Sequence, residues 1–112
     1  MALEIQIKAD GEPILEMVGK IVDVDVKRFQ SKLESLYKKK DLPRIVLDVT
    51  RVDFIDSHGL GVVVYFHTLL QKEKRRLVIL NANPDQGAYL NKLFEVTNLD
   101  KVLNIACALD VV

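Results

Sequence analysis

Hydrophobic and polar positions along this chain follow two periods, and the switches between them outline the elements. Leu3, Ile5 and Ile7 alternate with polar neighbours, the mark of a half-buried edge strand. Asp10-Gly11-Glu12-Pro13 reads as a turn and Ile14 to Val18 as a second strand, which predicts an antiparallel hairpin. Gly19-Lys20-Ile21-Val22-Asp23 follows neither period. The spacing then becomes helical through Val26, Phe29, Leu33, Leu36 and Tyr37, with Asp25 as the expected N-cap. Lys38-Lys39-Lys40 suits a helix carboxyl end, and Pro43 blocks continuation.

Ile45-Val46-Leu47-Asp48-Val49 is an aliphatic, β-branched run that fits a central strand buried on both faces. A helix is predicted from about Ser57 to Lys74, a buried strand over Leu77 to Leu80, and a loop over Asn81 to Pro84. Asp85 to Val96 reads as a helix with Leu90, Leu93 and Phe94 on one stripe, closed by Asn98 in the left-handed conformation. Val102 to Ala106 is a last short strand, and the remainder to Val112 a short helix or packed tail. A hairpin followed by strand–helix alternation defines an α/β fold. The expectation is a single domain, residues 1–112. Its sheet should be mixed but mainly parallel, with the N-terminal antiparallel hairpin and about four flanking helices.

Composition narrows the function classes. Sixteen basic and sixteen acidic side chains cancel. No broad basic field for nucleic acid is therefore expected, and size with balanced charge predicts a monomer. The apolar runs are too short to cross a bilayer, and no basic-then-apolar signal segment opens the chain. The single cysteine, Cys107, forms no internal disulfide, which fits a cytoplasmic location.

Candidate chemistry gathers in Phe54-Ile55-Asp56-Ser57-His58-Gly59-Leu60-Gly61, where the central strand hands over to a helix. Carboxyl ends of parallel strands are where binding sites collect. Three readings compete. Catalysis by Asp56, Ser57 and His58 fails on geometry, because adjacent residues do not set an imidazole between acid and hydroxyl. The glycine two before the serine of a nucleophile elbow is also missing, its place taken by Ile55. His67 lies two and a half turns beyond His58, on the opposite side of the helix, so the two share no metal. Capping explains Asp56-Ser57 but leaves Gly59 and Gly61, each of which weakens a helix by about 1 kcal/mol relative to alanine. Bare backbone there points to tight packing or to another molecule's approach. The third reading is attachment of a phosphate to Ser57, at a helix start whose free N–H groups and dipole suit an anion. The helix is apolar nearly all round over residues 60–66, with Leu60, Val63, Val64, His67 and Leu70 on one stripe, so part of its first turn is expected to be exposed.

The run from Ile45 to Val49, followed by Val52-Asp53-Phe54-Ile55-Asp56-Ser57-His58-Gly59-Leu60-Gly61, resembles the STAS domains, and among them the anti-sigma factor antagonists of bacteria. Arg76-Leu77-Val78-Ile79-Leu80-Asn81 and Leu93-Phe94-Glu95-Val96-Thr97-Asn98-Leu99-Asp100 match in order, so the resemblance covers nearly the whole chain. It implies a compact α/β domain without a cofactor, and not an enzyme. Such a domain binds an anti-sigma factor that is also a serine kinase, freeing a sigma factor. The kinase phosphorylates the serine after the motif aspartate, here Ser57, which releases the pair, and a serine phosphatase resets it. The implied partner surface is Asp56, Ser57, His58, Gly59, Leu60 and Gly61, with Lys20, Asp23 and Asp25 from the preceding loop. The sequence departs from the family at three places. His58 stands where serine or a small residue is common. Gly19-Lys20-Ile21-Val22 replaces Gly-Glu-Leu-Asp, so that Asp23 and Asp25 are candidates for the missing charge. Asn98 replaces a glycine. The alternatives are a constitutive STAS scaffold in a transporter or signalling complex, with Ser57 as a mere cap, and a small hydrolase or phosphocarrier using Ser57 or His58.

Overall fold

A computed structural model describes residues 3–8, 13–85 and 88–107. In chain order the elements are β1 (Glu4–Lys8), β2 (Ile14–Ile21), α1 (Val24–Tyr37), β3 (Arg44–Ile55), α2 (Ser57–Lys72), β4 (Arg76–Leu80), α3 (Tyr89–Val96), a 3-10 turn (Leu99–Lys101) and β5 (Asn104–Ala106). The strands form one sheet in the order β1-β2-β3-β4-β5. β1 and β2 pair antiparallel, and every later pair is parallel. The predicted fold is the one observed. The Asp10–Pro13 turn lies mostly outside the described residues, as does the tail beyond Cys107.

Right-handed crossovers in a sheet ordered this way place all the connecting helices on one face. Val63 of α2 and Leu90 and Phe94 of α3 accordingly line one small apolar cavity over Met17, Val49 and Ile79. Phe29, Leu33 and Leu36 of α1 are sealed in the same core with Leu15, Ile45 and Leu47. Full burial of each such side chain contributes roughly 1.5–3 kcal/mol. Val46 and Val78 point to the other face and are buried too, which is why both parallel strands read as unbroken apolar runs.

β3 extends past Val49 to Ile55, and two irregularities explain why its later part lost strand periodicity. Glu16 and Val18 of β2 pair with Asp48 and Arg51, and Gly19 and Lys20 pair with Val52 and Phe54. Each step carries one extra residue on β3, a bulge that returns Val52 and Ile55 to the core. Gly19 sits at the second bulge with φ 111°, a conformation open to glycine. β2 itself runs on to Ile21, through residues that follow neither period.

Several boundaries differ from the sequence expectation. α1 begins at Val24, so Asp25 is not its N-cap; it lies in the first turn and pairs with Arg28 at 3.3 Å. α2 ends at Lys72, because Lys74 turns left-handed at φ 59° and the Arg75 N–H closes back on the Leu70 carbonyl at 2.8 Å. α3 starts at Tyr89 rather than Asp85. Ahead of it, the Asn81 and Asn83 side chains accept from the Asn83 and Asp85 N–H groups, a local alternative to helix. Asn98 does close α3 left-handed, at φ 59°. The segment after it makes one 3-10 turn, which delays the last strand to Asn104. The described residues thus hold three α-helices, not about four.

Candidate functional site

The candidate site is the joint between β3 and α2. Asp56 leaves the strand in an extended conformation, φ −82° and ψ 175°, and its N–H donates to the Ile21 carbonyl at 3.1 Å. That bond ties the ends of β2 and β3 together. The Asp56 carbonyl accepts from Leu60 N–H at 2.9 Å, opening the helix, and its Oδ1 accepts from Gly59 N–H at 2.8 Å. Asp56 is therefore the N-cap, and Ser57 is the first helical residue. The Gly59 N–H holds the Asp56 carboxyl below the usual carboxylate range, with a smaller contribution from the Asp23 N–H.

The second carboxylate oxygen reaches across the sequence. Asp56 Oδ2 accepts from the Asp23 N–H at 3.2 Å, which fastens the loop between β2 and α1 to the motif. That loop is a tight turn, closed by Asp25 N–H on the Val22 carbonyl at 3.0 Å. Asp23 occupies its first central position at φ 50° and ψ −121°, the geometry of a type II′ turn that glycine favours. For an aspartate this costs about 1–3 kcal/mol, sustained by the contacts around it. The Asp23 side chain makes no capping bond.

Ser57 and His58 are exposed. No hydrogen bond among the described residues engages the Ser57 hydroxyl. His67, by contrast, is buried, and its Nδ1 has no hydrogen-bond partner among the described residues. The two histidines are on opposite sides of α2, as their spacing predicts. The two glycines separate cleanly. A Cβ on Gly59 would meet Ile55 Cγ1 at 2.9 Å and Ile21 Cγ2 at 3.0 Å, so packing within the chain demands a bare backbone there. A Cβ on Gly61 would meet nothing within 4 Å, and Gly61 is exposed. Nothing among the described residues requires a glycine at 61. Leu60 is half-buried against the core, and the buried stripe of α2 is Gly59, Val62, Val63, Phe66, His67 and Leu70. It is rotated from the expected one, with Val64 half-buried beside it.

Lys20, at the end of β2, is exposed and pairs with Phe54. Asp23 is exposed and joined to the motif through its N–H, whereas Asp25 is half-buried and turned to Arg28. Two features escaped sequence reasoning. Val24 is 77% exposed although apolar, and it follows the residue that Asp56 holds. Its place off the Val26–Phe29–Leu33–Leu36 stripe was the available signal. Tyr89 donates its hydroxyl to the Ile55 carbonyl at 3.1 Å and lies against Phe54 with ring centroids 4.7 Å apart. Both rings remain partly exposed. No pattern in the sequence links residues so far apart.

The STAS domain family model matches residues 4–111, and the chain belongs to that family. BtrV of Bordetella bronchiseptica, which carries the name of a candidate anti-sigma factor antagonist, is 26% identical over 99 residues, 88% of this chain and 81% of that protein. Among solved structures, an anti-sigma factor antagonist from Mycobacterium paratuberculosis superposes with a TM-score of 0.77 at 20% identity, covering 97% of this chain and 89% of that one. The antagonist SpoIIAA in its unphosphorylated form gives 0.67 at 18% identity, over 97% of this chain and 91% of its own. The phosphorylated form of SpoIIAA, a Bacillus cell fate determinant, gives 0.66 at 20% identity, over 92% and 91%. At these identities the structural likeness establishes the fold. No helix among the described residues is long and apolar enough to cross a membrane.

Proposed function

We propose that this chain is an anti-sigma factor antagonist, a binding module of the cytoplasm that works as a monomer. Its partner is an anti-sigma factor with serine kinase activity, and docking of that partner frees a sigma factor. The observation that carries the reading is the exposed Ser57 hydroxyl, unengaged at the first position of α2 directly after the capping carboxylate. The relatives' names as anti-sigma factor antagonists support it. The docking surface comprises Asp56, Ser57, His58, Gly59, Leu60 and Gly61 with Lys20 and Asp23, and Asp25 acts through Arg28. In the switching step the Ser57 oxygen attacks the γ-phosphorus of ATP held by the kinase. The bond from that phosphorus to the β–γ bridging oxygen breaks, ADP leaves, and the hydroxyl proton passes to a base of the kinase. The chain itself contributes no cofactor or catalytic base. The product carries about −1.5 to −2 added charges beside Asp56, which turns an attractive surface repulsive. A serine phosphatase reverses the step.

Binding of wild type, Ser57→Ala and Ser57→Asp to the cognate kinase, with intact mass after incubation with ATP, tests this. Ser57→Ala should bind and take up no phosphoryl group, while Ser57→Asp should bind at least about tenfold more weakly, as a desolvated like-charge contact costs. Equal binding by all three, with no phosphoryl uptake by wild type, would overturn the switch and leave a constitutive scaffold.

A further inference from the structure

The chemistry of Ser57 and the shape of the loop before α1 meet in one side chain. Asp56 shares its two carboxylate oxygens between Gly59 N–H, at the start of α2, and Asp23 N–H, in the turn before α1. The bond to Asp23 is the longer, 3.2 against 2.8 Å. It also holds a residue in a conformation that strongly favours glycine. Directly after Asp23 stands Val24, 77% exposed.

We propose that the Asp56 carboxylate is a latch: while Ser57 is unmodified it fastens the strained Val22–Asp25 turn and fixes Val24 on the partner surface, and a phosphoryl group on Ser57 releases it. This rests on Ser57 being the modified residue. Phosphate on the adjacent residue places a second anion beside the carboxylate and brings oxygens that compete for the free N–H groups of the first helical turn. The longer bond yields first. Asp23 then loses the contact that offsets its strain, the turn relaxes, and Val24 leaves its fixed position. Phosphorylation thus removes an apolar contact in addition to adding charge. Asp56 acts here as a positioning residue.

The experiment needs no kinase, so its failure is distinct from failure of the functional reading. Phosphoserine is installed at position 57 during translation, and backbone amide hydrogen exchange is followed by NMR. The Asp23 and Asp25 amides should both exchange at least about tenfold faster in the phosphoserine protein than in the unmodified one. Changes within about twofold at both sites would overturn the latch. Asp23→Gly accepts the same turn without strain. In that variant the Asp25 amide should stay protected with phosphoserine present; equal loosening would show that strain plays no part and overturn the mechanism. Asp56→Asn, which keeps a single acceptor oxygen, should expose the Asp23 amide with Ser57 unmodified, and continued protection there would count against the latch independently.

Discussion

The two ends of α2 are fastened in opposite styles. At the carboxyl end, Arg75 is 7% exposed and donates to the Leu42, Tyr37 and Lys39 carbonyls at 2.8, 3.1 and 2.9 Å. It also pairs with Glu73 at 3.0 Å. Glu73 in turn accepts from Lys40, at 3.0 Å, and from the Tyr37 hydroxyl. One guanidinium thus gathers three carbonyls from the end of α1 and the segment that follows it, and its salt-bridge partner is itself held twice. At the amino end a single carboxylate holds two N–H groups, one of them in a strained turn, beside a hydroxyl that no described residue holds. The first arrangement survives the loss of any one bond. The second depends on one side chain, and small chemical changes reach it. Redundancy marks the carboxyl end of the helix, and its absence marks the end that carries the proposed switch.

The comparison predicts that the largest loss of stability comes from the redundant end. Arg75→Ala strips the Tyr37 and Leu42 carbonyls of the guanidinium, while Lys39 keeps the Leu42 N–H and Glu73 keeps Lys40 and the Tyr37 hydroxyl, and it should cost roughly 3–5 kcal/mol, read from the midpoint of denaturant unfolding. A loss below about 1 kcal/mol would show that water replaces the guanidinium freely, and the contrast would collapse. Second is Gly59→Ala. The new methyl collides with Ile55 and Ile21, at roughly 1–3 kcal/mol, of which helix propensity returns about 1. Gly61→Ala, two residues on, meets open space and should stabilise by up to about 1 kcal/mol. The same variant should weaken partner binding, because its methyl projects outward from the proposed docking surface. Unchanged binding would remove Gly61 from that surface.

Legibility in the sequence followed the range of the interactions. The hairpin, the apolar cores of β3 and β4 and the start of α2 are local patterns, and the structure matches the sequence expectation for each, while α2 ends two residues earlier than expected. The Asp-Ser-His-Gly-Leu-Gly run, also a local motif, points to the candidate site. What failed was set from a distance. Asp25 directly precedes the helical stripe and so reads as its cap, but Asp56, from the far end of β3, holds the turn at Asp23, and the helix starts earlier, at Val24. The sequence pattern shows only the first half of β3, because its bulges arise from pairing with β2. Arg75 hid in a charged run, Lys72-Glu73-Lys74-Arg75-Arg76, which reads as solvated surface until three carbonyls from the α1 end converge on it. Likewise, the exposure of Val24 and the Phe54–Tyr89 contact are properties of the assembled fold.

Acid should act on both ends with the same sign and with a smaller effect, since water screens these groups. The Tyr37 hydroxyl, then Lys40 and Arg75, hold the Glu73 carboxyl down from 4.5 to about 2. Asp56 is also lowered, first by the Gly59 N–H. A carboxyl depressed in the folded state binds fewer protons there than in the unfolded chain, so stability rises with pH. The contribution of Glu73 is therefore complete above about pH 4.5 and disappears as pH falls toward 2. Glu73→Gln should flatten the stability profile in that window and leave its shape near neutrality unchanged. An equally steep acid limb in the variant would assign the proton uptake elsewhere.

The smallest effect belongs to the residue with the largest proposed role. If Ser57 were the helix cap, Ser57→Ala would cost about 1 kcal/mol, the usual loss for a cap. The cap is Asp56, however, and Ser57 occupies the first helical position with its hydroxyl exposed. Alanine is a better helix former there, and no bond is lost. Ser57→Ala should therefore unfold at the wild-type denaturant midpoint to within about 0.5 kcal/mol, whereas Asp56→Ala should lose about 1 kcal/mol. A clear destabilisation by Ser57→Ala would mean that the hydroxyl is committed to the fold. Serine would then be present for structure, and a partner's kinase would have no free oxygen to modify without first breaking a bond.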